Sequence, residues 1–186
     1  MIEFDFDDVI FDCQTVVEAG ILERTGVDVN PQRSKNFYVT VPGYTNIEVG
    51  DLVREVLFKD THKMKPTELA MESLEEISKM IKGPIRIITA RQEGLDKVTK
   101  ELMHRFVQGK FEFKFIFSHH FKKSAFLQPT TRFFVDDLPH HVNDLASKLD
   151  NVFLMRRVWN KDSELKANVI PVDNLQAVAR YIEKLL

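Results

Sequence analysis

The sequence predicts an α/β protein: a parallel sheet sandwiched by helices, with a small, mostly helical insert after the first strand. Three observations predict it. Short apolar runs alternate with stretches of helical rhythm along most of the 186 residues, as in a parallel sheet with crossover helices. One stretch, residues 14–64, breaks that alternation. Finally, two hydrophobic runs end in acids: Asp5 and Asp7 in MIEFDFDDVIFD, and Asp136 with Asp137 in TTRFFVDDLP.

Met1 to Asp7 reads as the first strand. In the insert, helices are expected near Val16 to Arg24 and Val49 to Phe58, around a mixed segment holding Pro31, Pro42 and Gly43. Thr67 to Ile81 carries Leu69, Leu74, Ile77, Met80 and Ile81 at helical spacing, which Gly83-Pro84 ends. Ile85 to Ile88 is the next strand and Gly94 to Phe106 the next helix. Phe111, Phe113, Phe115 and Phe117 alternate with Glu112 and Lys114, predicting a strand with one wetter face near a sheet edge. Arg132 to Val135 follows as a strand, and Pro139 opens a helix where a missing amide is tolerated. Val152 to Met155 is a fifth strand, Asn168 to Ile170 a short sixth, and Leu175 to Leu186 an amphipathic closing helix. Residues 1–13 and 65–186 thus form the core domain. Residues 14–64 form a small cap over the C-terminal edge of the sheet, where open α/β sheets bind ligands.

Composition narrows the function classes. A formal charge of −2 gives no indication of nucleic-acid binding. Fifteen Phe against three Tyr and one Trp predict a phenylalanine-rich core. Cys13 is the one cysteine, so an internal disulfide is excluded and a reducing compartment is expected. A buried thiol is the expected role for it, since no histidine is placed to activate a nucleophile. No signal peptide and no run of about 20 apolar residues is evident. A cytoplasmic protein without a membrane partner is expected.

Carboxylates beside a buried sheet are costly unless compensated, and two converging acidic clusters would hold a hard divalent cation and a phosphate brought to it. An ionised Asp5 can attack a phosphoryl group to form an aspartyl-phosphate. Asp7 can then protonate the leaving oxygen and later activate water. The phosphoryl oxygens need positive charge, which a cation between Asp5 and Asp136 and a lysine would supply. Thr89 ends a strand in IRIITARQ, where its hydroxyl and the amides of Ala90 and Arg91 can hold phosphate oxygens. Lys122 and Lys123, in HHFKKSAFL, can each reach the same group.

With those residues in order, the chain resembles the haloacid dehalogenase-like hydrolase superfamily. Asp5, Asp7 and Val9 match its first motif, Thr89 its second, a lysine its third and Asp136-Asp137 its fourth. The resemblance implies a Rossmann-like core, Mg2+ as cofactor and a small phosphorylated substrate. It implies Asp5 as nucleophile and metal ligand, and Asp7 as general acid/base with its backbone carbonyl on the metal. Asp136 becomes the second carboxylate ligand and Asp137 a supporting acid. Lys-Ser-x-x-Leu resembles the family's start to the third-motif helix, which favours Lys123 over Lys122. Within the superfamily the chain is most similar to small 5'(3')-deoxyribonucleotidase-like phosphatases, which share Asp136-Asp137-Leu138-Pro139 and an Asn after the next strand, here Asn160. It departs from them at Asp8 and in Thr89-Ala90-Arg91. The implied activity is a magnesium-dependent phosphomonoesterase acting on nucleoside monophosphates or similar esters. The alternatives are a phosphatase of a sugar phosphate or nucleic-acid end, and a catalytically silent binding protein of the same fold. A receiver domain needs its phosphorylated Asp on a middle strand before its Thr; it is disfavoured because the second acidic pair, Asp136-Asp137, follows both Thr89 and Lys123, and Asp7 lies far upstream of Thr89.

Other residues carry weaker signals. Arg91 can clamp an anionic group of the substrate or lie solvated in a loop. Phe37, Tyr38 and Tyr44 can stack on a nucleobase or form the core of the insert. The doublets His119-His120 and His140-His141 read as exposed residues near an anionic pocket, since adjacent histidines do not easily share one ion. Arg156-Arg157 reads as a strand terminus, with a role near the phosphate as the alternative.

Overall fold

Strands that are apolar on both faces need cover on both. In the computed structural model, which describes residues 1–33 and 39–185, six strands form one sheet: β1 (Ile2–Phe4), β2 (Ile85–Thr89), β3 (Phe113–Phe117), β4 (Phe133–Asp136), β5 (Asn151–Met155) and β6 (Val169–Val172). Their order is β3-β2-β1-β4-β5-β6 and every neighbouring pair is parallel. The helices are α1 (Gln14–Thr25), α2 (Asn30–Arg33), α3 (Asn46–Asp60), α4 (Ala70–Met80), α5 (Asp96–Val107), α6 (Pro139–Leu145) and α7 (Leu175–Glu183). Short 3-10 turns cover Thr61–Lys63 and Lys123–Ala125.

The period-two alternation sorts side chains to the two faces. Ile85, Ile87, Val135, Phe153 and Met155 share one core with Leu74 and Ile77 of α4, Leu102 and Met103 of α5, and Val178 and Ile182 of α7. Ile88, Phe134, Val152 and Leu154 share the other with Val142 and Leu145 of α6. Both faces are therefore dry, which explains the near-continuous apolar runs. β3 is an edge strand, and its Lys114 is exposed while its phenylalanines are half-buried, as the alternation there predicts.

Glu3 and Arg86 interrupt this apolar interior. They are register partners on β1 and β2, both are buried, and Arg86 Nε donates to Glu3 Oε1 at 2.5 Å. Such a pair is costly to desolvate but costlier to break, since removing one partner leaves an uncompensated buried charge.

Most element boundaries shift by one to three residues from those expected, and three of the shifts have a clear setting. β1 stops at Phe4 rather than Asp7: the Asp5 amide still donates to the Val135 carbonyl at 2.8 Å, but the amides of Ile10 and Phe11 turn back to the Phe6 carbonyl. The helix expected from Thr67 begins at Ala70, because Leu69 adopts left-handed backbone (φ 58°) and the Thr67 hydroxyl donates to the Val9 carbonyl. The last helix ends at Glu183.

Within residues 14–64, α1 packs on α3. A capping box starts α3: Thr45 Oγ1 accepts the Glu48 amide, and Glu48 Oε2 accepts the Thr45 amide. Phe37 and Tyr38 lie outside the described residues, and Tyr44 is exposed on the turn before α3. No described helix is long and apolar enough to cross a membrane.

Gly20 is where α1 approaches α3. A Cβ there would lie 2.5 and 2.7 Å from the two γ-carbons of Val56, a stiff and fully buried side chain. Alanine gains about 1 kcal/mol of helix propensity, but overpacking costs about 1–3 kcal/mol. Gly20→Ala is expected to lower stability in urea by a net of about 1 kcal/mol, with recovery in the Gly20→Ala/Val56→Ala double variant. An unchanged or raised urea midpoint in the single variant would contradict this close approach.

Candidate active site

β1 and β4 are adjacent at the centre of the sheet, so their C-terminal ends bring Asp5 and Asp136 together across 130 residues of chain. Lys123, on the 3-10 turn before β4, inserts its ammonium between them, 2.8 Å from Asp5 Oδ1 and 2.7 Å from Asp136 Oδ2. All three side chains are buried. Lys122 lies on the surface and pairs with Asp144 at 3.1 Å. The geometry thus places Lys123, and not its neighbour, in the cluster.

Electrostatics divides the carboxylates. Burial disfavours the ionised form of Asp136, but the Lys123 ammonium and His141 hold it well below the usual carboxylate range. The Leu138 amide also donates to Asp136 Oδ1 at 3.0 Å. Asp5 sits in the same dry environment with Asp136 and Asp7 nearby; burial outweighs Lys123 and pushes its pKa up to about 6. For Lys123, the two carboxylates overcome burial and raise its pKa, so it stays cationic. Burial, then Asp136, raises Asp137 well above the ordinary value.

Asp5, Asp136 and Asp137 each offer an oxygen within 4.8 Å of the others, and Asp137 Oδ2 is buried without a hydrogen-bond partner. Three hard oxygen donors and an orphaned carboxylate oxygen fit a small divalent cation. Asn160 supports this corner: its Nδ2 donates to the carbonyls of Asp137 and Met155, at 2.7 and 2.8 Å. One side-chain amide thereby fastens the end of β4 to the end of β5.

Asp7 lies past the strand end with its side chain 26% exposed. Arg91 grips it, Nε at 3.0 Å from Oδ2 and Nη2 at 2.7 Å from Oδ1. The Arg91 side chain is only 1% exposed. It therefore does not clamp an open anionic pocket, and it is not solvated. Burial would lower its pKa, yet the Asp7 carboxylate raises it above the ordinary value.

Thr89 ends β2 fully buried, and its hydroxyl accepts the Arg91 amide at 3.3 Å. The Ser118 amide and hydroxyl both donate to the Thr89 carbonyl, fixing the strand end. Ala90 is exposed beside it. Cys13 is buried, and burial together with Asp7 and Asp8 raises its thiol pKa well above the usual value, so it is no nucleophile at neutral pH.

Several residues acquire roles that the sequence did not give them. Asp8 takes left-handed backbone (φ 56°), and its Oδ1 accepts the amides of Cys13 and Gln14, capping α1. Arg157 donates through Nε to the Asp8 carbonyl at 2.8 Å and through Nη2 to the same oxygen. His141 Nδ1 lies 3.3 Å from Asp136, and His119 Nδ1 lies 2.9 Å from the Arg91 carbonyl. The local signals were weak: an Asp six residues before a helix start, and histidines whose neighbours are identical.

No family model matches the chain, and no curated protein does. Solved structures do. A haloacid dehalogenase-like family protein from Streptococcus pneumoniae superposes with a TM-score of 0.67 at 14% identity, covering 97% of each chain. A protein assigned as a beta-phosphoglucomutase from Thermotoga maritima gives 0.65 at 15% identity, covering 100% of this chain and 99% of its own. A 2-haloacid dehalogenase from Pseudomonas syringae gives 0.54 at 14% identity, covering 100% and 98%. The fold is that of haloacid dehalogenase-like hydrolases over the full chain. The chemistry must be argued from the site.

Asp8 offers a test of this geometry. Burial pushes its pKa from 3.8 up to about 7. The folded state then binds a proton more tightly than the unfolded one, so this residue's contribution to stability falls as pH rises from about 4 through about 7. Asparagine keeps the oxygen that caps α1, cannot ionise, and tolerates left-handed backbone. Asp8→Asn in EDTA is expected to raise Tm by about 2–4 °C at pH 8, and by clearly less at pH 5. A gain of equal size at both values would show that ionisation of Asp8 plays no part.

Proposed function

We propose that the protein is a magnesium-dependent phosphomonoesterase working through an aspartyl-phosphate on Asp5, with nucleoside monophosphates or similar small phosphate esters as substrates. The observation that carries this reading is the Lys123 ammonium bridging Asp5 and Asp136, with Asp7 facing outward two residues further on. Asp5 attacks phosphorus as the ester P–O bond breaks, and Asp7 delivers a proton to the departing oxygen. Asp7 then takes a proton from water as that water displaces the aspartyl oxygen, releasing inorganic phosphate and restoring Asp5. The Thr89 hydroxyl, the amide after it and the Lys123 ammonium hold the equatorial oxygens. Asp5, Asp136 and the Asp7 carbonyl would hold Mg2+, with Asp137 in support. When bound, the ion supplies charge that offsets the phosphoryl oxygens and the burial of Asp5 and Asp136.

Residues 14–64 serve as the cap in this reading, with α1 and α3 covering the bound ester. The role of Asp7 separates phosphatase from dehalogenase chemistry, because a departing halide needs no proton whereas an alkoxide does. A silent binding protein would have no need of a nucleophile poised against a buried ammonium.

With Mg2+, the purified protein is expected to hydrolyse p-nitrophenyl phosphate, to stop in EDTA and to recover when Mg2+ is restored. Asp5→Asn should keep the wild-type far-UV spectrum and lose turnover by about three orders of magnitude or more. Turnover in EDTA, or substantial activity in Asp5→Asn, would overturn the mechanism. A panel of nucleoside monophosphates, sugar phosphates and phosphorylated oligonucleotide ends then ranks the substrate classes by kcat/KM.

A further inference from the structure

We infer that Arg91 is a positioning residue for Asp7, locking the rotamer of the general acid/base and tying it to the insert; this rests on the phosphatase reading above. All five N–H donors of Arg91 are spent within the protein. Nε and one Nη2 hydrogen meet Asp7 side by side. The second Nη2 hydrogen meets Met64 Sδ at 3.1 Å. The two on Nη1 meet the hydroxyls of Thr61 and Thr99, at 3.1 and 3.0 Å. No donor remains for a phosphate.

The two hydroxyls are fixed as acceptors. Thr99 donates its own proton to the Leu95 carbonyl in the first turn of α5, and Thr61 donates to the Leu57 carbonyl of α3. The guanidinium lies over the Phe6 ring, 4.7 Å from its centroid. A planar fork held on its face and at its donors leaves the carboxylate it grips one orientation. Asp7 otherwise has freedom to swing, being the most exposed of the motif acids. The chain of bonds from Asp7 through Arg91 and Thr61 ends on α3, so the acid and the insert share one anchor.

This arrangement is a poor stability device. A buried ion pair barely repays its desolvation, and apolar residues of the same volume serve the core as well. Its placement on the one motif acid that is not buried is what a positioning role requires.

The test measures kcat and KM for p-nitrophenyl phosphate and for glycerol 2-phosphate, together with competitive inhibition by inorganic phosphate. It uses wild type, Arg91→Gln, Arg91→Lys, Asp7→Asn and Arg91→Gln/Asp7→Asn, all with Mg2+. Arg91→Gln is expected to lower kcat about 10–100-fold on the alkyl ester. The loss should be smaller on the aryl ester, whose leaving group needs little protonation. KM and phosphate inhibition should stay within about twofold of wild type, and Arg91→Lys should recover part of kcat. Added to Asp7→Asn, Arg91→Gln should cost less than about twofold more. A raised KM with weakened phosphate inhibition would show that Arg91 touches the phosphate. A full further loss in the Asp7→Asn background would show that it acts apart from Asp7. Either result overturns the inference while leaving an active wild type, whereas an inactive wild type overturns the function itself. Should Arg91→Gln not fold, Thr99→Val, which removes one anchor and keeps the pair, reads the same alkyl-to-aryl comparison.

Discussion

One ammonium between two buried carboxylates governs the centre of this molecule. Asp5 and Asp136 lie at neighbouring strand ends because β1 and β4 pair, and neither could stay ionised there without compensation. Lys123 supplies it at 2.8 and 2.7 Å. Two anions and one cation leave a net negative pocket. Such a pocket suits a hard divalent ion, and the ammonium beside it lowers the cost of keeping the two carboxylates ionised. The fold itself thereby holds these three charges in fixed positions.

The sheet makes that arrangement rigid. Parallel strands deliver Asp5, Thr89 and Asp136 to one edge, and side-chain hydrogen bonds fasten each strand end to its neighbour. Ser118 holds the end of β2, Asn160 holds β4 to β5, and Arg157 holds the Asp8 carbonyl. Deep in the same sheet, Glu3 and Arg86 pair across β1 and β2. A register slip would separate these partners, so the pair penalises alternative registers of the strand that carries Asp5.

Charge outside the pocket is handled by the same means. Asp7 is matched by Arg91, and Arg91 by two threonines whose own protons are already committed. No link in that chain is close in sequence to Asp7: Arg91 lies 84 positions further on, and Thr61 directly follows α3 near the end of residues 14–64. Helix α1 is capped by Asp8, four residues past the end of β1 at Phe4. The departure of the chain from β1 thus sets both the position of Asp7 and the start of α1.

What the sequence determined by itself was whatever local pattern carries. Apolar runs and helical rhythm specified the sheet and its crossovers, because burial on two faces leaves a compositional trace. Asp5, Thr89 and Asp136 were legible because each sits at or just past the end of an apolar strand, and a lysine because it precedes the strand that carries Asp136. What only the tertiary structure decided was which charge meets which. Lys123, already favoured over Lys122 by the Lys-Ser-x-x-Leu resemblance, is the lysine that enters the pocket, while Lys122 beside it stays on the surface with Asp144. Arg91 is buried against Asp7, Asp8 caps a helix, and His141 reaches Asp136, since each depends on partners that the fold brings near. Pairing energies between distant charges are set by distance and burial, and neither quantity is written in the spacing of residues along the chain.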